Sequence, residues 1–198
     1  MKHSLKATSI IEAMIVLLIV VSGITGVYTI LNSSQKLAIS TGNRIEAIQI
    51  ARDGLEAFTN IRDTNWILYS ADYENCWNTY NYDATCIGSS GTSTDTVLGA
   101  SQGFGIYKNS NNQFELIKHG GIMAGYSDST YRTNFRVQKD SNGFYTQSGS
   151  VDFNPIYTRE IQISYPDGDS DTDRIEVTAL VLWSDSSSSA PQKVEMST

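Results

Sequence analysis

Glu12 is the residue whose chemistry stands out. It is the one formal charge in the apolar run Thr8 to Leu31, TSIIEAMIVLLIVVSGITGVYTIL. A carboxylate near the end of an apolar helix costs a few kcal/mol in a membrane unless something pairs with it. A cation becomes available if the chain is cut between Ala7 and Thr8. Glu12 is then the fifth residue, and the new α-amino group is positive. Within one helix that amine is a full turn away, whereas in a neighbouring helix shifted along its axis the amine meets the carboxylate head-on. The element that must position Glu12 is the run itself, which is long enough to cross a bilayer as a helix of roughly 20 residues. Ahead of it lies a short leader, Met1 to Ala7, with Lys2 and Lys6 and no acid. The positive-inside rule keeps that leader in the cytoplasm and puts everything after Leu31 outside. A cleaved secretory signal fits poorly, because the run is long and no small-x-small site follows it. An ordinary signal anchor with an incidental glutamate is the other reading of this stretch.

Lys6-Ala7-Thr8-Ser9-Ile10-Ile11-Glu12-Ala13-Met14, followed by the apolar run, resembles the leader and helix start of type IV prepilins and pseudopilins. The resemblance implies cleavage by a membrane prepilin peptidase between Ala7 and Thr8, N-methylation of the new terminus, and Glu12 as the assembly glutamate. The family usually has Gly before the cut and Phe or Met after it. Here Ala7, a tolerated small residue, and Thr8 stand in those places, and the second departure bears on methylation. The helix end, Ala51 through Trp66 with Arg62 and Asp63, is similar to that of minor pilins carrying arginine, aspartate and tryptophan close together. The strand Tyr-Thr-Arg-x-Ile-x-Ile from Tyr157, the strand ending in Trp183, and the final Val-Glu-Met-Ser-Thr resemble the C-terminal sheet of the same proteins.

Composition narrows the partners. The chain has 198 residues, with 14 basic and 21 acidic side chains. Loss of the two leader lysines leaves 12 against 21, a formal charge of −9. Such an acidic chain without a basic stripe is a poor nucleic-acid binder, so no nucleic acid is expected. Beyond its anchor it has little attraction to anionic lipid.

Cys76 and Cys86 both fall on the predicted outer side, where disulfides persist. A bridge is expected between them, with two free thiols as the alternative. No histidine lies near for a metal site, and the spacing is not C-x-x-C. Asp167, Asp169, Asp171 and Asp173 alternate as calcium ligands do. An EF-hand fails, because Thr172 stands at the glycine position and Thr178 at the bidentate glutamate. A looser calcium turn and a solvated hairpin turn both remain open; no other cofactor is expected. His119, in Lys118-His119-Gly120-Gly121, has no cysteine or G-x-S-x-G serine nearby, and no H-E-x-x-H, P-loop or dinucleotide fingerprint occurs. The chain is therefore not expected to be an enzyme.

The expected fold class is α+β. A long N-terminal helix, transmembrane in its first half and amphipathic in its second, packs on a C-terminal antiparallel β-sheet in a pilin-like arrangement. By segment, 1–7 is the prepilin leader and 8–31 the transmembrane or filament-core helix. Residues 32–66 continue that helix as its amphipathic part. Segment 67–104 is a variable loop region holding the disulfide, and 105–198 is the sheet head. Ile39, Ile45, Ile48, Leu55, Phe58 and Ile61 are expected to cover the sheet, Asn32-Ser33-Ser34 to mark a bend, and Arg62 to Trp66 to end the helix with Trp66 packed on the sheet. Gly23 and Gly26 serve close helix packing or local loosening of the helix. Any binding face is expected around Trp77, Tyr80 and Tyr82, against the alternative of a loop that only covers the sheet edge. Strands are expected at 105–107 and 113–117 as a hairpin, at 132–137 and 144–146, at 157–165, at 174–183 and at 193–196. The functional expectation is a minor pilin or pseudopilin of a type IV pilus or type II secretion-like filament. It is single-pass in the cytoplasmic membrane with its head outside, then part of a cell-surface or periplasmic filament. Its partners are the peptidase, other pilin subunits and the membrane. The rival is a monomeric membrane-anchored binding domain that never polymerises.

Overall fold

The computed structural model describes residues 10–79, 82, 84–88, 102–109, 111–121, 125–139, 143–147, 156–166, 174–184 and 190–198. It divides into two compact units, Met1–Asn43 and Arg44–Thr198. The longest element is α1, Ile10–Leu68, of 59 residues. The first proline of the chain is Pro155, so nothing in this stretch removes a helical hydrogen bond. Asn32, Ser33 and Ser34 are helical, not the start of a bend. The expected stop at Arg62 to Trp66 is also overrun. Thr64 returns its hydroxyl to the Asn60 carbonyl at 2.7 Å, and the Tyr69 amide closes the last turn on Asn65 O at 2.9 Å. No glycine or proline stands there to end the helix.

In the first unit, every described residue of α1 from Ile10 to Leu31 is exposed. Three of its hydroxyls bond back to the helix. Ser22 Oγ donates to Ile19 O at 2.9 Å, Thr25 Oγ1 to Val21 O at 2.7 Å and Thr29 Oγ1 to Gly26 O at 2.8 Å. A polar group bonded back to its own helix can enter hydrocarbon without a partner. A Cβ at Gly23 or Gly26 would meet nothing within 4 Å, so neither glycine is required by packing among the described residues.

The second unit is a two-layer α+β head. Its strands are β1 (Gln102–Lys108), β2 (Phe114–Gly121), β3 (Gln138–Lys139), β4 (Tyr145–Thr146), β5 (Tyr157–Ser164), β6 (Glu176–Trp183) and β7 (Gln192–Ser197). Five of them form one antiparallel sheet in the order β2-β1-β5-β6-β7. The stretch expected as loop at 67–104 holds two short helical turns, α2 (Tyr73–Cys76) and a 3-10 turn (Ala84–Cys86), and β1 already starts at Gln102.

One face of the sheet receives the C-terminal half of α1. Ala47, Ile50, Ala51, Ala57, Phe58 and Ile61 meet Phe104, Ile106, Ile161, Ile163, Val177, Ala179 and Val181 in a single core. Burying a side chain the size of Ile50 or Phe58 contributes about 2–3 kcal/mol. Ile48 and Leu55 are half-buried, while Ile39 and Ile45 are exposed. The true contact stripe follows 47, 50, 51, 54, 57, 58, 61 and 65, where alanine and glycine let the helix come close. Trp66 is half-exposed rather than seated on the sheet, with the Arg62 guanidinium 5.4 Å above its ring.

The opposite face carries α3 (Ser129–Phe135), where the alternation predicts a strand at 132–137. Asp128 decides the matter. Its carboxylate accepts from the amides of Thr130 at 2.6 Å and Tyr131 at 3.4 Å, an N-terminal helix cap. Tyr131 and Phe135, four residues apart, then bury together against Leu182.

Candidate functional site

Glu12 lies in the first turn of α1, where a carboxylate complements the positive end of the helix dipole. From Ile10 to Leu31 it is the one charged side chain, it is exposed, and among the described residues it has no hydrogen-bond or ion-pair partner. This helix is long and apolar enough to cross a membrane, and none of its apolar window is buried. At 1.5 Å per residue, 22 residues span about 33 Å, close to the roughly 30 Å of hydrocarbon in a bilayer. Ala7 and Thr8, the expected cleavage pair, lie outside the described residues, as does the leader.

Cys76 and Cys86 are joined, their sulfurs 2.07 Å apart, and both are buried beside Tyr69. The stapled segment is tied to the end of α1. The Asn65 amide, fully buried, donates to Thr79 O at 2.7 Å, and the Tyr69 hydroxyl donates to the Tyr82 carbonyl. Tyr82 takes a left-handed backbone with φ of 52° and donates its own hydroxyl to Phe114 O at 2.6 Å, at the start of β2. Gly88 N reaches Asp72 Oδ2 at 2.6 Å. Tyr82 therefore ties the stapled segment to the sheet, and Trp77 is half-buried; Tyr80 lies outside the described residues.

Asp167, Asp169, Asp171 and Asp173 also lie outside the described residues. Among the described residues no cluster of three or more His, Cys, Asp or Glu side chains is placed to hold a metal. His119 is half-buried and packs edge-on against Phe135, with ring centroids 5.1 Å apart. Burial pushes its pKa down.

The spacing of β5 hides two charged residues that sequence reasoning passed over. Arg159 and Glu160 are adjacent, point to opposite faces, and are both almost wholly buried. Arg159 faces α1, where Nη1 meets Asp53 Oδ2 at 3.1 Å and the Ile50 carbonyl at 3.3 Å. Gly54 makes room for it; a Cβ there would come within 2.9 Å of Arg159 Cδ. The signal for both residues was a strand pattern interrupted by two neighbouring charges.

Gln147 completes this network. β1 and β5 pair directly at Gly103–Gln162 and Phe104–Ile161. Further along, the segment around β3 and β4 lies between them, and Gln147 bridges the gap. Its backbone amide and side-chain oxygen bond Ile106 O at 3.0 Å and Ile106 N at 2.8 Å. Its side-chain amide donates to Arg159 O at 2.6 Å and Phe135 O at 3.0 Å. A second tie joins the same segment to α1: the Glu46 carboxylate accepts from the hydroxyls of Tyr145 and Tyr157, each at 3.2 Å, and sits 3.3 Å from Lys139 Nζ.

No protein-family model, no curated protein and no solved structure matches this chain.

Proposed function

We propose that the chain is a pilin-like filament subunit, a minor pilin or pseudopilin, cut after Ala7 and polymerised through the apolar part of α1. The observation that carries this reading is a membrane-length apolar helix, exposed along its whole span, with a single carboxylate in its first turn. The leader motif and the α+β head described above support it. Glu12 is uncompensated in lipid and is satisfied in the filament by the amino terminus of a neighbouring subunit. That pairing favours extraction from the membrane and fixes the axial register. Packing among apolar helices then holds the fibre, while the disulfide-stapled head forms its surface. The chemistry asked of the protein is physical assembly rather than catalysis.

Glu12→Ala tests this directly. Wild-type chain should be recovered in filaments sheared from the cell surface, or in a periplasmic filament fraction. The variant should accumulate in the membrane and be missing from that fraction. Equal recovery of both would favour the rival, a membrane-anchored domain that does not polymerise.

A further inference from the structure

The sheet face opposite α1 holds a carboxyl group with no charge partner among the described residues. Glu160 is 1 % exposed. Its floor is Gly103, where a Cβ would strike the carboxyl oxygen and come within 3.0 Å of the Phe135 ring. Its roof is α3, through Tyr131 and Phe135, both fully buried. The Gln162 side chain and the Tyr131 hydroxyl both face the carboxyl and favour its charged form, although Glu160 Oε1 and Tyr131 Oη complete no hydrogen bond of ordinary geometry.

No described neighbour supplies a positive charge. On β2 the nearest titratable group is His119, across the Phe135 ring, and burial favours its neutral form. From β1 comes glycine, and from β6 comes Leu180, opposite Glu160 in the ladder. Thr158 and Gln162 on its own strand are uncharged. Arg159 is spent on Asp53 at the other face. Arg132 of α3 turns away, donating to Tyr126 O at 2.7 Å and Ser127 O at 3.3 Å. Burial itself pushes the Glu160 pKa up.

A carboxylate ionised in this place is buried without a counter-charge, and the cheapest relief is movement of whichever covering element is least firmly held. The strand below, β5, is laddered to β6 along its whole length and to β1 at Gly103–Gln162 and Phe104–Ile161. The cover, α3, has seven residues and no ladder; besides the Tyr131 and Phe135 rings it is held by the Tyr126 hydroxyl on Ile156 O at 3.0 Å, by the Gln147 side-chain amide on Phe135 O at 3.0 Å and, just past its end, by the Arg136–Thr158 bridge and Val137 N on Tyr157 O at 3.0 Å.

We propose that α3 is an acid-held cover: it stays closed over neutral Glu160 and lifts when that carboxyl ionises, uncovering the apolar positions Leu180 and Leu182. Opening then releases one proton. The opening constant of residues 129–135 should rise up to tenfold per pH unit between the ordinary glutamate range and the higher closed-state value, and level off above it.

Hydrogen–deuterium exchange of the full chain in detergent micelles, from pH 5 to 9 and corrected for intrinsic exchange, reads this segment by segment. Protection of 129–135 should fall as pH rises, and at every pH it should be weaker than that of Glu176–Trp183. In Glu160→Gln the fall should vanish. Three results would overturn the cover: pH-independent protection in the wild type, an unchanged fall in Glu160→Gln, or equal protection of α3 and β6, which would mean that the whole head opens together. If Glu160→Gln does not fold, the wild-type profile and the α3–β6 comparison decide alone.

Discussion

Arg159 on β5 and Asp53 on α1, 106 residues apart in sequence, form the ion pair that ties the helix to the sheet of the head, Nη1 to Oδ2 at 3.1 Å. The arginine is completely buried and the aspartate about a third exposed. Breaking such a pair costs more than the pair is worth, because it strands the buried charge. Asp53→Asn should therefore destabilise the head by about 3 kcal/mol, the low end for buried pairs given the exposure of Asp53. Replacing both partners by apolar residues, Asp53→Leu with Arg159→Met, should cost less than Asp53→Asn alone. Thermal unfolding of the full chain in detergent checks both.

Gln147→Ala should also destabilise the head. It leaves Ile106 N, Arg159 O and Phe135 O without their side-chain partner, at about 1–3 kcal/mol for unsatisfied buried groups. Gln147→Glu should be worse at neutral pH than at acid pH, because a carboxylate cannot donate to the two carbonyls. Unfolding midpoints at two pH values distinguish the cases.

How far the sequence reached can be judged from these residues. The apolar span, the β1–β2 hairpin, β5, β6 and β7 all follow from composition and alternation, since each is long and strongly patterned. The segment 132–137 misleads because Thr133, Phe135 and Val137 alternate like a strand, while the deciding Asp128 cap lies just ahead of them. Ile39 and Ile45 mislead in another way. Helical spacing gives a stripe, but small residues at 47, 51, 54 and 57 select which stripe approaches the sheet. Arg159 and Glu160 were legible only as charges in a strand. Their burial depends on covering both faces of β5, by α1 on one side and α3 on the other, and no local pattern states that.

Stability should fall as pH rises above the usual glutamate range. Glu160 has a raised folded-state pKa, so folding favours its protonated form. The contribution is fully present below the unfolded value and is lost progressively as pH climbs from there to the folded value. Glu160→Gln should flatten this dependence and be more stable than wild type at alkaline pH. Unfolding midpoints of both proteins between pH 4 and 9 provide the check.

Reducing Cys76–Cys86 should cost about 3 kcal/mol, from a sequence separation of 10 in the chain-entropy estimate. Because Asn65 and Tyr82 also hold this segment, the loss should appear first as protease sensitivity between Asn78 and Ile87, with the sheet still folded. Limited proteolysis with and without reductant reports it.

Removal of the leader by a peptidase, which frees the amino terminus that Glu12 needs for assembly, is checked by the intact mass of the protein extracted from its native membrane. The expected mass is that of a chain beginning at Thr8, with or without one added methyl group. A chain that still carries Met1 to Ala7 would contradict it and leave a membrane-tethered head that does not enter a filament.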